Sequence, residues 1–131
     1  MTKEFKHKIK IYYEDTDSGG VVYYANYLKY LERARSEAIY LLGLSNLKLQ
    51  KDYGALIIVK SCNIKYKKPA KFEDDLEVLS SVISKTRTSF SMLQIIKRNE
   101  EIISEEEVQL VTVNDDGKPI KIPEVLLKLF D

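Results

Sequence analysis

The sequence predicts an α+β fold in which a curved, mostly antiparallel sheet of five strands wraps around one long helix. Three observations lead to this prediction: one stretch of helical periodicity, one extended segment before it, and four extended segments after it. With 131 residues and 44% hydrophobic content, the chain suits one compact domain over residues 1–131. Such a sheet has exposed edges, so we expect edge-to-edge association into a dimer with a continuous sheet.

The first extended segment covers residues 8–13, where side chains alternate in polarity. Ile9, Ile11 and Tyr13 share one face of this segment, as in a strand with one side on a core. The sequence therefore predicts a first strand that runs through Tyr13.

The one long helix is predicted over residues 26–42, where apolar side chains recur at helical spacing. Asn26 is the predicted N-cap, and Gly43 is expected to end the helix in the left-handed conformation. Ala34 and Ala38 give the helix a slim centre. We therefore expect its axis to approach the sheet closely, as a core helix.

Four further segments are rich in Val, Ile, Leu, Thr and Ser and read as strands. These segments are residues 55–67, 75–85, 88–98 and 102–113. The breaks between the last three are short enough for hairpins, which makes the sheet mostly antiparallel. Residues 45–52 form a weakly helical connection, and the apolar residues 124–130 are expected to form one or two helical turns.

Composition excludes several classes of protein. Lys plus Arg number 21 and Asp plus Glu number 20, so the net charge of +1 gives no general attraction to nucleic acid or a membrane. One cysteine, Cys62, and one histidine, His7, are too few for a typical structural zinc site, and we expect no metal or cofactor. The charged start of the chain and the absence of a long apolar run predict no signal peptide and no membrane span. We therefore expect a soluble, cytoplasmic protein.

The segment YYEDTDSGGVVYYANY, residues 12–27, holds the most suggestive chemistry. A predicted strand ends there, glycines follow, and the helix begins within ten residues of Asp17. The first N–H groups of a helix are unpaired, and one such donor aimed at a developing oxyanion is worth ~3 to 4 kcal/mol of barrier. A carboxylate beside such donors suits a hydrolase. Alternatively, Asp15 or Asp17 forms an Asx-turn or caps the helix, and spacing alone favours this structural role.

The motif Y-x-E-D-T-D-x-G-G-V-V-Y-x-A-x-Y, residues 12–27, followed by L-E-R-A-R-S-E, residues 31–37, resembles a family signature. It is similar to that of the hot-dog-fold acyl-CoA thioesterases of the 4-hydroxybenzoyl-CoA thioesterase type, closest to the Tol-Pal-associated, YbgC-like branch. Residues 59–78 and the later strands are also similar, so the resemblance covers nearly the whole chain. It implies a five-stranded sheet around one helix, active sites at a dimer interface, and dimers that often pair into tetramers. The implied reaction is hydrolysis of an acyl-CoA or acyl carrier protein thioester, without a cofactor.

The resemblance also implies roles for individual residues of the motif. Asp17 is the catalytic carboxylate, as nucleophile or as general base on water, and Asp15 is structural. The backbone N–H near Tyr24 polarises the thioester carbonyl. Members of the closest branch commonly carry His at this position, and a phenol with an ordinary pKa of about 10 is a poor base at neutral pH. The presence of Tyr24 in place of this histidine therefore bears on substrate preference.

Four further residues are expected to bind substrate. The resemblance favours Lys85 and Arg87, at a predicted hairpin, for the CoA phosphates, although these charges could simply be solvated. It also suggests that Val59 and Lys60 line the acyl site across the dimer interface.

Two rival functions differ in class from a hydrolase. The same fold could hold an acyl group or an acyl carrier protein without cleaving it. A small nucleic-acid-binding sheet is suggested by the segment KYKKPAK and nine tyrosines, but the near-neutral charge disfavours it.

Overall fold

The computed structural model describes residues 3–130 and contains one antiparallel sheet. Its strands are β1 (Glu4–Lys10), β2 (Leu56–Tyr66), β3 (Asp75–Lys85), β4 (Ser89–Arg98) and β5 (Glu101–Val113). Their spatial order is β1-β3-β4-β5-β2, so β1 and β2 form the two edges. The predicted α+β fold with five antiparallel strands is confirmed.

Helix α1 (Asn26–Leu41) packs along the concave face of the sheet, and a shorter helix α2 (Asn46–Tyr53) follows it. Ala34 and Ala38 are 2% and 1% exposed, so the slim centre of α1 lies against the sheet as predicted. Gly43 adopts a φ of +79° just beyond the helix end. Within residues 3–130, no helix is both long enough and apolar enough to cross a lipid bilayer.

The predicted N-cap of α1 is wrong. The N-cap residue is Ala25, which has helical backbone angles and makes no side-chain capping bond. The Asn26 side chain instead donates from Nδ2 to the Asp15 carbonyl at 2.9 Å. The Asn26 side-chain amide therefore binds the preceding loop instead of capping the helix.

The predicted first strand, residues 8–13, is also misplaced. The strand runs from Glu4 to Lys10, and a 3₁₀ helix over Tyr13–Asp15 follows it. Asp15 causes this change, because its Oδ2 accepts the Tyr12 N–H at 2.9 Å and folds the chain away from the sheet. Tyr13 is 78% exposed as a result.

The apolar C-terminal residues form the expected helical turns. A 3₁₀ helix covers Glu124–Leu129 and buries Leu126 and Leu129 in the core that contains the C-terminal half of α1. Phe130 packs edge-on against Phe90 of β4, with the ring centroids 5.6 Å apart. The end of the chain therefore closes one end of the space between helix and sheet.

A polar cluster interrupts the apolar interior beneath α1. Gln94 donates from Nε2 to the Leu31 carbonyl at 3.0 Å and to Ser80 Oγ at 2.9 Å. Arg35 donates from Nη1 to Gln94 Oε1 at 2.9 Å and lies 3.4 Å from Glu106 Oε1. Burial raises the pKa of Glu106, and Arg35 opposes that rise.

Candidate active site

A tight hairpin precedes α1 and carries the predicted catalytic residue. Thr16 and Val22 form an antiparallel bridge, and the Asp17 N–H donates to the Val21 carbonyl at 2.9 Å. Gly20 turns the chain with a φ of +78°, which costs a glycine little. Asp17 therefore lies at the exposed end of a hairpin that leads directly into α1.

The Asp17 carboxylate is oriented by its own turn. Oδ1 accepts the Gly19 N–H at 2.8 Å, which is the Asx-turn that spacing alone favoured. Within the described part of the chain, Oδ2 has no hydrogen-bond partner. The side chain does not cap α1, so one oxygen holds the turn and the other is available to a ligand.

Asp15 joins the hairpin to the start of α1. Its carbonyl accepts the Tyr23 N–H at 3.1 Å and the Asn26 side-chain amide at 2.9 Å, and its carboxylate accepts the Tyr12 N–H. Burial, and then the nearby Asp15 carboxylate, raises the pKa of Tyr30. These contacts match the structural role that the resemblance implied for Asp15.

Tyr24 lies at the start of α1 with its side chain 62% exposed. Among residues 3–130, neither the Tyr24 N–H nor the Ala25 N–H has a hydrogen-bond acceptor. The Tyr66 hydroxyl, at the end of β2, donates to the Tyr24 carbonyl at 3.2 Å. Burial raises the pKa of Tyr66, which keeps this hydroxyl protonated as a donor. The helix start is therefore held by an edge strand while its amides stay open.

Lys85 and Arg87 lie far from the hairpin of their own chain. Both are exposed at the β3–β4 turn, and Lys85 Nζ is 5.0 Å from the centroid of the Phe130 ring. Strand β3 begins at Asp75, which pairs with the last residue of β1 beside the hairpin, and ends at Lys85. At ~3.3 Å per residue, its ten steps separate Lys85 from that end of the sheet by roughly 33 Å.

Val59 and Lys60 lie on the free edge strand β2. The register with β5 shifts between Val59 and Ser61, so Lys60 occupies a β-bulge, a feature that re-aims side chains at sheet edges. Val59 is seven residues from Tyr66, or roughly 23 Å along the strand at ~3.3 Å per residue. Ile58 and Val59 are 45% and 49% exposed. A single chain therefore does not bring the predicted acyl-binding residues to Asp17.

A cavity of 120 Å³ lies between α1 and the sheet, beside Val59. Glu32 and Arg35 of α1 also line it, and its remaining walls are mostly apolar side chains from β2, β4, β5 and the C-terminal helix. Sequence reasoning named Val59 as a candidate substrate-binding residue but did not predict the cavity beside it. No local pattern could have indicated it, because its residues come from six separate segments.

The fold indicates a class of protein. A five-stranded antiparallel sheet around one central helix is the hot-dog fold, which occurs in thioesterases. The family model of the Thioesterase-like superfamily matches residues 12–130, and the chain belongs to this family. The resemblance in the sequence, the hot-dog fold and the enzyme class are confirmed.

Known proteins of this kind resemble the chain over almost its full length. The acyl-CoA thioester hydrolase YbgC of Escherichia coli O6:H1 is 34% identical over 131 residues, which cover 98% of this chain and 97% of the relative. The acyl-CoA thioesterase YbgC of Haemophilus influenzae is 33% identical over 127 residues, covering 96% and 93%. The crystal structure of a probable thioesterase from Bartonella henselae superimposes with a TM-score of 0.88 at 28% identity, covering 92% of this chain and 100% of the other.

Proposed function

We propose that the chain hydrolyses acyl-CoA thioesters and that Asp17 is the catalytic carboxylate. The observation that carries this proposal is the geometry of the hairpin: the Asx-turn fixes one Asp17 oxygen and leaves Oδ2 without a protein partner. The open N–H groups of Tyr24 and Ala25 follow in the same hairpin-to-helix connection. The names of the relatives from E. coli and H. influenzae agree with this chemistry.

The reaction follows one of two routes, an anhydride route or a general-base route. In the first, Asp17 Oδ2 attacks the thioester carbonyl carbon, the oxyanion accepts the Tyr24 N–H, and the CoA thiolate leaves and takes up a proton. Water then hydrolyses the mixed anhydride. In the second, Asp17 accepts a proton from water as the water oxygen attacks the same carbon; the tetrahedral intermediate then expels the CoA thiolate, which takes up the proton held by Asp17. A burst of thiol release equal to the number of sites would favour the anhydride route.

The unequal edges of the sheet support a homodimer formed through β2. The opposite edge, β1, exposes Lys6, Lys8 and Lys10, and charged side chains of this kind oppose strand pairing. Strand β2 also exposes two lysines, Lys60 and Lys65, but unlike β1 it exposes the adjacent apolar side chains of Ile58 and Val59 as well. We propose that two copies pair through antiparallel β2 strands; a tetramer would be a pair of such dimers.

In this dimer, the predicted substrate-binding residues that lie far from Asp17 in their own chain would act in the partner subunit's active site. Antiparallel strands bring the Val59 end of one β2 beside the Tyr66 end of the other. The hairpin that holds Lys85 and Arg87 lies at the same end of the sheet as Val59. In the dimer, Val59 and Lys60 would line the acyl site and the two basic residues would bind CoA phosphates for the partner subunit's Asp17.

Related parts of the proposal rest on the sequence. The carrier is CoA, with acyl carrier protein as the second candidate, and the chain works in the cytoplasm as one domain over residues 1–131. The alternative function remains an acyl-binding module that does not cleave its ligand.

The test is release of free thiol from a panel of acyl-CoAs. In Asp17→Asn the amide oxygen can still accept the Gly19 N–H, so the turn is preserved while the charge is lost. We expect a loss of at least about 100-fold in kcat. Glu14→Gln, an exposed acid of the same loop, is the matched control and should retain activity. Unchanged hydrolysis in Asp17→Asn would exclude Asp17, and binding without hydrolysis by the unmodified chain would favour the binding module.

A further inference from the structure

The Tyr66 hydroxyl holds the peptide unit at the start of α1. It donates to the Tyr24 carbonyl at 3.2 Å, and the Tyr27 N–H donates to the same oxygen at 3.3 Å. The Tyr24 carbonyl and the Ala25 N–H belong to one planar trans peptide and point in opposite directions. A hydrogen bond that fixes this carbonyl therefore also fixes the direction of the open Ala25 N–H.

Tyr66 is itself held by the sheet and by the core. Its backbone pairs with Ser104 of β5, and its ring meets the Tyr27 ring edge-on, with the centroids 5.1 Å apart. Tyr27 is 3% exposed, and its hydroxyl accepts the Ala70 N–H at 3.0 Å. These contacts fix the Tyr66 ring, and with it the donor hydroxyl, relative to the sheet.

The Tyr66 hydroxyl acts on the backbone amide and not on the thioester. It binds the carbonyl side of the peptide, whereas the open N–H points the other way. Burial raises the pKa of Tyr66, so the hydroxyl stays protonated at neutral pH and does not serve as a base. A hydrogen bond accepted by a carbonyl also polarises the peptide and strengthens its N–H as a donor. Tyr66 therefore both aims and strengthens the Ala25 N–H.

The proposed function, on which this inference rests, needs donors at the oxygen where negative charge develops. We propose that Tyr66 is a positioning residue of the thioesterase: its hydroxyl holds the peptide between Tyr24 and Ala25 so that the Ala25 N–H serves, beside the Tyr24 N–H, as a second donor to the oxyanion. The charge on this oxygen develops only on the way to the transition state. Loss of the hydroxyl should therefore lower kcat and leave KM almost unchanged.

Tyr66→Phe tests this role, because it removes the hydroxyl and keeps the ring that packs against Tyr27. Loss of an entire oxyanion donor lowers kcat by about 100- to 1,000-fold. Both amides remain in Tyr66→Phe, so we expect a smaller loss of about 10-fold in kcat for thiol release, with KM changed by less than about 2-fold. Tyr40→Phe is the matched control, because Tyr40 is 50% exposed against 44% for Tyr66 and lies near the other end of α1. Its kinetics should match those of the unmodified chain.

Two CoA thioethers separate positioning of the amide from general binding of CoA. S-trifluoroacetonyl-CoA carries a ketone that becomes an oxyanion when a nucleophile adds to it, whereas S-propyl-CoA has no carbonyl. Tyr66→Phe should raise the inhibition constant of the ketone by about 10-fold and leave that of S-propyl-CoA unchanged. A retained kcat, or equal weakening of both inhibitors, overturns the role of Tyr66 and leaves the proposed function intact.

The resonance of the Ala25 amide nitrogen gives a readout that does not depend on hydrolysis. It should shift in Tyr66→Phe and stay in place in Tyr40→Phe. If the unmodified chain cleaves no acyl-CoA, the proposed function is rejected, and a shift of this resonance still supports Tyr66 as the group that holds the peptide. A resonance that does not move in Tyr66→Phe overturns the inference in either case.

Discussion

Replacing Arg35 by methionine would test whether the polar cluster beneath α1 depends on a buried charge pair. Arg35 is 15% exposed and Glu106 is 2% exposed at the side chain, and their nearest atoms are 3.4 Å apart. Methionine fills much of the same space without a charge. The variant therefore leaves the Glu106 carboxylate buried beside no cation, and leaves Gln94 Oε1 without its donor.

The expected loss of stability follows from this geometry. Two unit charges 3.4 Å apart attract by about 5 kcal/mol at an effective dielectric constant of about 20. Removing one partner of a buried ion pair typically costs ~3 to 5 kcal/mol, because the remaining charge keeps its desolvation penalty. We expect Arg35→Met to lower the free energy of unfolding by about 3 to 5 kcal/mol at pH 7.

The loss should depend on pH in a defined direction. Without Arg35, burial raises the pKa of Glu106 further above its ordinary value, so the folded chain binds this proton more tightly than the unfolded chain does. The contribution of the protonated carboxyl is fully present below the unfolded-state pKa of about 4.3 and is lost as pH rises through the folded-state value. The difference between Arg35→Met and the unmodified chain should therefore shrink as pH falls from 7 to 4.

Equilibrium unfolding in urea at pH 7 and pH 4, at one fixed protein concentration, measures both quantities. Glu106→Gln is the comparison variant: it also removes one partner of the pair, but the remaining Arg35 is more exposed than Glu106 and keeps Gln94 Oε1 as an acceptor, so its loss of stability should be smaller. A loss below about 1 kcal/mol for Arg35→Met at pH 7, or an equal loss at both pH values, would refute this reasoning.

Two further predictions concern the hairpin and an exposed ion pair. Gly20→Ala forces an L-residue to a φ of +78° and should lower stability by ~1 to 2 kcal/mol, whereas Gly19→Ala brings a Cβ within 3.3 Å of Asp17 Oδ1 and should mainly slow thiol release. Equal effects of the two variants on stability and activity would contradict this distinction. Hydrogen bonds from Lys68, and then from a neighbouring arginine, lower the pKa of Glu101 to about 2. The contribution of the ionised Glu101 carboxylate to the free energy of unfolding is present above an unfolded-state pKa of about 4.3 and is lost as pH falls toward 2. Glu101→Gln should therefore lower the free energy of unfolding at pH 7 but not at pH 2. A loss of stability that persists at pH 2 would contradict this prediction.

Local patterns predicted most of the sheet from sequence. The segment 75–85 coincides with β3 because its apolar residues alternate at the strand period and a turn precedes it. The first strand was misplaced because the alternation continues by chance to Tyr13. Its true end depends on one Asp15 hydrogen bond, which no hydrophobic pattern reports.

The candidate site could also be predicted only in part from the sequence. Asp17 and Tyr24 could be predicted as site residues from sequence because the motif that holds them is continuous, and their roles stay predictions. The contact between Arg35 of α1 and Glu106 of β5 joins residues 71 positions apart, so only the packing of the helix on the sheet brings them together. Leu129 likewise could not be predicted as a cavity residue. The apolar pattern of the short C-terminal segment predicts that its side chains are buried, but not which residues they contact.

The lysines along β1 also bear on the size of any assembly. A sheet open at both edges could keep adding copies and grow into a fibre. Exposed Lys6, Lys8 and Lys10 oppose strand pairing at β1, so if two copies pair through β2 as proposed, strand addition would stop at the dimer.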